Sequence, residues 1–144
     1  MHVAVAAPEG YLPRAEIVEG AQALAAATGG SVTADPDLEA AVHGADAVYT
    51  DVWTSMGEED ERALRRRDLA PFQVTTELMR YAKAEAAFLH CLPAHRGEEV
   101  EAAVIDGRQS SVWEQAANRL PTEQALLYAL ISGRWELPRE GEWR

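Results

Sequence analysis

The sequence predicts an α/β domain built on a doubly wound, mainly parallel sheet with helices on both faces. Short apolar runs alternate with segments of helical periodicity, and turn-forming residues separate the two kinds of segment. Strands that alternate with helices are joined by right-handed crossovers, which favours parallel pairing. The 144 residues are enough for one ordinary domain with its own core.

Five strands are predicted from short apolar runs that end at turn residues. They cover Val3–Ala7, Ser31–Ala34, Ala45–Thr50, Ala86–His90 and Ser111–Trp113. Helical patterns fill the segments between and after these strands. They run from Pro13 to about Ala27, from the predicted cap Asp35 to Gly44, from Glu58 to Arg67, from a cap at Thr75 or Thr76 through Ala82, and onward through Ile131 with a break or restart at Pro121.

Composition excludes several classes of partner. The formal net charge of −11 argues against nucleic acid, because phosphates would be repelled. No apolar run is long enough for a membrane span, and residues 1–3 lack the start of a signal peptide. The single cysteine, Cys91, cannot form an internal disulfide, which favours a reducing cytoplasm. We therefore expect a cytoplasmic protein that binds neither nucleic acid nor membrane.

The segment His90–Gly97 places the cysteine between a histidine and a Leu-Pro bend, directly after a predicted strand. The bend falls at the carboxyl edge of the sheet, where open α/β folds bind ligands. Cys91 could line a pocket there, or it could be a buried structural cysteine, since free cysteine is among the most buried residue types. His95 and Arg96 could neutralise an anion or could belong to a solvated turn.

A second loop, Asp51–Gly57, follows another predicted strand and reaches the same edge. Asp51 offers a carboxylate, and Ser55, Met56 and Gly57 offer a hydroxyl and a mobile backbone. Such a loop suits an amino-acid zwitterion, because the carboxylate binds the ammonium and backbone donors bind the carboxyl group. The alternative is that Asp51 only caps the next turn, which is what aspartate usually does.

Three segments together resemble the signature sequences of ornithine carbamoyltransferases, in the same order. They are Asp51–Gly57, His90–Gly97 and Ala117–Arg119. The resemblance extends from the strand at Val3 to the helix that ends near Ile131. Aspartate-specific relatives carry His-Pro-Leu-Pro where this chain has His90–Pro93, so that branch fits poorly. Branches that use acetylated or decarboxylated ornithine remain open, although the Ser55–Gly57 segment favours ornithine itself.

This resemblance implies transfer of a carbamoyl group from carbamoyl phosphate to the side-chain amine of L-ornithine, giving L-citrulline and phosphate in arginine metabolism. The α-amino and α-carboxylate groups of ornithine would be bound by Asp51, Ser55 and Met56. Carbamoyl phosphate would be bound by Cys91, Leu92 and Arg119. Of these, Cys91 and Arg119 are expected to be catalytic, with the thiol orienting the amine rather than attacking as a nucleophile. The resemblance implies no organic cofactor, and no metal-ligand spacing occurs in the sequence.

The chain also departs from the family. The Ser-Thr-Arg-Thr-Arg and His-Pro-x-Gln segments, with which family members bind carbamoyl phosphate, do not occur in these residues, and neither does a Gly-Asn-Asn turn that supplies an asparagine to ornithine. Met1 falls where an internal methionine precedes the second strand. We therefore expect a partial ornithine-binding domain at 1–132, lacking its first β-α unit, and a carboxyl-terminal tail at 133–144.

Three functions remain open from the sequence. The chain could be part of a carbamoyltransferase, a stand-alone ornithine-binding module, or a remnant without a ligand. Full-length family members are homotrimers held largely by the domain that these residues lack, so the oligomeric state of this chain stays open. We expect the isolated chain to be marginally stable and to have no transfer activity.

Overall fold

A computed structural model describes residues 1–54 and 59–135 of the chain. In these ranges, strands alternate with helices, as an α/β fold requires. The strands are β1 (His2–Ala6), β2 (Ser31–Asp35), β3 (Ala47–Thr50) and β4 (Ala87–His90). The helices are α1 (Ala15–Ala26), α2 (Leu38–Val42), α3 (Arg62–Leu69), α4 (Thr76–Met79), α5 (Ala102–Ile105) and α6 (Val112–Ser132). Short 3₁₀ turns at Glu59–Glu61 and Ala70–Phe72 flank α3.

The strands form two parallel pairs. β1 pairs with β2, and β3 pairs with β4 from Ala47↔Ala87 to Thr50↔His90. The α/β class with parallel strands is therefore confirmed. Within the described residues the two pairs are not hydrogen-bonded to each other, so the sheet is interrupted between β1 and β3. An interruption is what a doubly wound sheet shows when its first strand, which usually lies centrally, is absent.

Side-chain caps set the start of two helices. The α2 cap is Asp37, whose Oδ1 accepts a hydrogen bond from the backbone nitrogen of Ala40 at 2.9 Å. The prediction of Asp35 as this cap was wrong by two residues: aspartates flank Pro36 on both sides, and the capping bond is made by the second of them. Asp35 instead accepts from the nitrogen of Asp37. Thr75, one of the two residues predicted to cap α4, does so by accepting from the nitrogen of Leu78 at 3.0 Å.

Two predictions near the carboxyl end were wrong. The segment Ser111–Trp113 is not a strand: Ser110 makes a single bridge to Phe88, and α6 begins at Val112. A three-residue apolar run has no period that separates a strand from the start of a helix. Pro121 neither breaks nor restarts α6, which continues through it. A proline removes one helical hydrogen bond, and the other turns of a 21-residue helix remain.

The described residues form two compact units, Met1–Val112 and a second one from Trp113 onward. The core of the first unit surrounds β3 and β4 and consists of Val42, Val48, Val74, Leu78, Met79, Phe88, Val100, Val104, Ile105 and Val112. By contrast, β1 is largely exposed. In the second unit α6 exposes several apolar side chains, including Leu127 and Ile131. None of the helices in the described ranges is long and apolar enough to cross a membrane.

Candidate functional site

The parallel register of β3 and β4 brings two predicted site residues together. Thr50 pairs with His90, so the next residues along the two strands, Asp51 and Cys91, emerge side by side. The thiol of Cys91 donates a hydrogen bond to Oδ1 of Asp51 at 2.9 Å. Residues from two loops that are 40 positions apart therefore meet at the carboxyl edge of this pair.

Asp51 performs the turn role and remains available to a ligand at the same time. Its Oδ1 also accepts from the backbone nitrogen of Val52 at 2.7 Å, which is the capping role that the sequence left open. The side chain is exposed, and its second oxygen, Oδ2, has no hydrogen-bond partner within residues 1–54 and 59–135. One carboxylate oxygen thus holds the loop and the thiol, and the other can accept from a cation.

The thiol of Cys91 is held in its protonated form. Burial raises its pKa above the usual thiol range, and the hydrogen bond to Asp51 raises it further. A hydrogen bond from Tyr49 acts in the opposite direction. Because the thiolate is the nucleophilic form of cysteine, a raised pKa makes Cys91 a poor nucleophile near neutral pH. Sequence analysis missed Tyr49, and its only sequence signal was an aromatic hydroxyl near the end of a short strand.

A buried histidine and carboxylate lie beneath the bend. The side chain of His90 is 1% exposed and that of Glu99 is fully buried. The backbone nitrogen of Leu92 donates to Nδ1 of His90 at 2.9 Å, so Nδ1 acts as an acceptor. In the neutral ring the proton then lies on Nε2, which faces Oε1 of Glu99 at 3.2 Å. This tautomer follows from the hydrogen-bond pattern.

The same pair fixes the backbone that follows Cys91. Leu92 has a φ of 57°, which is unusual for a branched side chain, and the Leu92–Pro93 peptide bond is cis. On the other side of the bend, the backbone nitrogen of His95 donates to Oε1 of Glu99 at 2.5 Å. A backbone in such a sparsely populated region persists only where its surroundings impose it. Here His90 and Glu99 impose it from both sides.

His95 and Arg96, the two residues of the bend that the sequence suggested could neutralise an anion, have separate environments. Arg96 donates two hydrogen bonds to the carboxylate of Asp106, at 2.9 and 2.7 Å. These bonds lower the pKa of Asp106 and raise that of Arg96, because each favours the charged form. The charge of Arg96 is therefore already paired within the protein. His95 is half-exposed, with Nδ1 3.8 Å from Oε2 of Glu99.

The remaining predicted site residues fall in other parts of the chain. Leu92 is partly buried and packs against the core of the first unit. Arg119 lies on α6, in the second unit. Ser55 and Met56, which were predicted to bind ornithine, lie outside the described residues.

Two groups of side chains in the described ranges have ligand atoms within 4.8 Å of one another, a spacing that can hold a metal ion. They are Asp51 with His90 and Cys91, and His95 with Glu98 and Glu99. In the first group the thiol and the imidazole already have hydrogen-bond partners. In the second, Glu98 forms an ion pair with Arg62 at 2.9 Å. The expectation that the protein uses no metal stays a prediction.

Comparison with known proteins identifies the family. A family profile described as "Aspartate/ornithine carbamoyltransferase, Asp/Orn binding domain" matches residues 1–130. The chain belongs to this family. An ornithine carbamoyltransferase from Bifidobacterium longum subsp. infantis is 56% identical over 127 residues, which cover 88% of this chain and 40% of that protein. One from Clavibacter sepedonicus is 56% identical over 131 residues, covering 91% and 43%.

Solved structures of the family agree with the fold. The ornithine carbamoyltransferase from Pyrococcus furiosus superposes with a TM-score of 0.82 at 50% identity, covering 88% of this chain and 41% of that one. The chain therefore spans about 40% of the length of the carbamoyltransferases that it matches. The match to the Asp/Orn-binding domain places the Asp51–Cys91 contact in the domain that is named for the amino-acid substrate.

Proposed function

We propose that this chain supplies the ornithine-binding half of an ornithine carbamoyltransferase. The complete enzyme would transfer the carbamoyl group of carbamoyl phosphate to the side-chain amine of L-ornithine and release L-citrulline and phosphate. The observation that carries the proposal is the contact between Asp51 and Cys91, because it joins the two signature loops within a domain of this family.

Ornithine would bind through its two α-groups. Asp51 is exposed, and its Oδ2, which has no hydrogen-bond partner among the described residues, can accept from the α-ammonium in a charge-assisted hydrogen bond. Ser55 and Met56 follow in the same loop and would bind the α-carboxylate. The side-chain amine would then extend toward Cys91.

The reaction needs the neutral form of that amine. A free alkyl amine has a pKa near ~10.4, so roughly one molecule in 2,500 is neutral at pH 7. The amine nitrogen bonds to the carbamoyl carbon, the bond from that carbon to the phosphate oxygen breaks, and the nitrogen loses a proton. Cys91 and Leu92 would orient the amine against the carbamoyl group, since the protonated thiol is suited to hydrogen bonding and not to attack.

Arg119 would donate hydrogen bonds to the carbamoyl oxygen and the bridging region of carbamoyl phosphate. A fixed cation directed at an oxygen that becomes more negative lowers the barrier to attack. Its guanidinium carries a permanent charge and several donors in a planar arrangement, which suits such a role.

The domain bounds, the cellular location and the assembly are also part of the proposal. We propose residues 1–132 as a partial, Rossmann-like ornithine domain and 133–144 as its tail, with a cytoplasmic location favoured by the single cysteine. Complete binding of carbamoyl phosphate and assembly into a homotrimer would depend on the rest of the enzyme. The reaction would belong to arginine metabolism. An ornithine-binding module without transfer is the second candidate, because the chain matches about 40% of its relatives' length.

Calorimetry on the purified chain tests the binding half of the proposal. L-Ornithine should bind, and Asp51→Asn should weaken binding at least tenfold, because it removes the charge that faces the ammonium. Glu19→Gln makes the same charge change on exposed α1 and should leave binding unchanged. Tighter binding of N-acetylornithine or of the decarboxylated diamine would indicate that compound as the substrate in place of L-ornithine. If none of these three compounds binds, the proposal is rejected.

A further inference from the structure

We propose that Glu98 is a positioning residue that links the start of α3 to the bend His90–Gly97, and that ornithine affinity depends on this link. Glu98 directly follows the bend in the sequence. Its Oε1 accepts a hydrogen bond from Nη2 of Arg62 at 2.9 Å and lies 3.7 Å from Nε of Arg66. Two arginines of α3 therefore meet one carboxylate oxygen beside the bend. The effect on ornithine rests on the proposed function, whereas the link itself does not.

The carboxylate of Glu98 is itself held in place. Its side chain is only 15% exposed, whereas those of Arg62 and Arg66 are about half-exposed. The side-chain amide of Gln73 donates to the backbone carbonyl of Glu98 at 2.6 Å. Most exposed ion pairs contribute little, because two long side chains must be ordered to form them. Here one partner is already fixed, so less conformational entropy is lost when the arginines bind it.

The first turn of α3 has little else to fix its position. The whole of α3 is described, none of its eight residues is buried, and among the described residues no side chain caps its start. Arg62 also places a positive charge at the amino end of the helix, where the helix dipole disfavours cations, and Glu98 offsets that charge. The other end of α3 has a separate anchor, since Asp68 accepts from the hydroxyl of Tyr11 at 3.2 Å. The start of α3 therefore depends on Glu98 more than on packing or capping.

The link completes a pair of anchors around the segment that is predicted to bind ornithine. At the start of this segment, Asp51 is bonded to Cys91 in the bend at 2.9 Å. Beyond its end, Arg62 is bonded to Glu98. The residues predicted to bind the α-carboxylate of ornithine lie between these anchors in the sequence. A segment attached at both ends has fewer conformations to lose on binding a ligand, and such preorganisation increases affinity.

Calorimetry and hydrogen exchange on the purified chain test the proposal. Glu98→Gln keeps the shape of the side chain and removes its charge, so the chain should fold with a nearly unchanged urea midpoint. Amide exchange at residues 62–66 should become about threefold faster, and the dissociation constant for L-ornithine should rise about threefold, as expected for one ion pair. Glu77→Gln removes the same charge from an exposed ion pair with Arg80 and should change neither quantity.

A double-mutant cycle separates the link from a structural effect of Glu98 alone. Arg62→Gln should weaken ornithine binding nearly as much as Glu98→Gln, and the double variant should bind no more weakly than the weaker single variant. Additive losses, unchanged exchange in α3, or a lower urea midpoint with unchanged affinity would each overturn the proposal. If the unaltered chain binds no ornithine, the proposed function and the expected effect on affinity are both rejected, and the exchange data still decide whether Glu98 links α3 to the bend.

Discussion

Replacing Glu99 with alanine removes the acceptor that two donors beneath the bend share. Nε2 of His90 and the backbone nitrogen of His95 would both lose Oε1 as an acceptor, since it accepts from each of them. Each unsatisfied buried donor costs about 1–3 kcal/mol, and removal of Oε2, which has no partner among the described residues, offsets part of that loss. We expect Glu99→Ala to lower the free energy of unfolding by about 3 kcal/mol.

Glu99→Gln separates the hydrogen bonds from the charge. The amide oxygen can accept from both donors, and the amide nitrogen would occupy the site of Oε2, which has no hydrogen-bond partner among the described residues. At the position of Oε2 that nitrogen would lie 3.8 Å from Nδ1 of His95, so a small side-chain rotation is needed before it can donate a hydrogen bond there. We expect this variant to lose about 1 kcal/mol or less.

Urea unfolding followed by circular dichroism measures both variants. Glu19→Ala, at an exposed position of α1, serves as the control and should change the free energy of unfolding by less than about 0.5 kcal/mol. Alkylation of Cys91 gives a second measurement, because a released bend should expose the thiol in the alanine variant only. Equal destabilisation by glutamine and alanine, or a loss below about 1 kcal/mol for alanine, would refute the shared-acceptor argument.

Three further predictions concern charge and assembly. The rate of alkylation of Cys91 should rise at a higher pH than that of a free thiol. Asp51→Asn should shift this pH dependence to lower pH, and an unchanged pH dependence would contradict the raised pKa. Asp106 should titrate below the usual aspartate range by carboxyl NMR, so its pairing with Arg96 stabilises the fold at neutral pH and is lost as the pH falls through that lowered pKa. Arg96→Gln should return the titration to the usual range. The isolated chain should bind a hydrophobic dye, and its apparent mass in sedimentation should increase with protein concentration. A monodisperse monomer that makes citrulline would contradict this prediction.

The strand pairing explains which parts of the site the sequence could predict. Asp51 and Cys91 each follow a short apolar run, and runs of that kind end at one edge of a parallel sheet. The meeting of the two loops was therefore predictable from local patterns. Tyr49 was not singled out, because an aromatic residue in a strand is usually explained by packing.

The support beneath the bend was not predictable from the sequence. Glu99 looked like one of many acidic residues in a chain of net charge −11, and nothing local marked it as fully buried. Its burial depends on the return of the chain after the turn at Gly97, which has a φ of 85°. The start of α2 at Asp37 was missed for a different reason, since two aspartates flank Pro36 and both suit a cap.

The β3–β4 register makes the chain unequally tolerant of changes in length. Asp51 and Cys91 are adjacent because they leave paired strands at the same level, whatever the path of the chain between them. Residues inserted in the exposed part of that path, near Asp60, should leave the contact in place. A single residue deleted from β3 would move Asp51 by about 3.3 Å along the sheet, more than the 2.9 Å that now joins it to the thiol. Four residues of strand thus set the alignment of two loops that the chain separates by 40 positions.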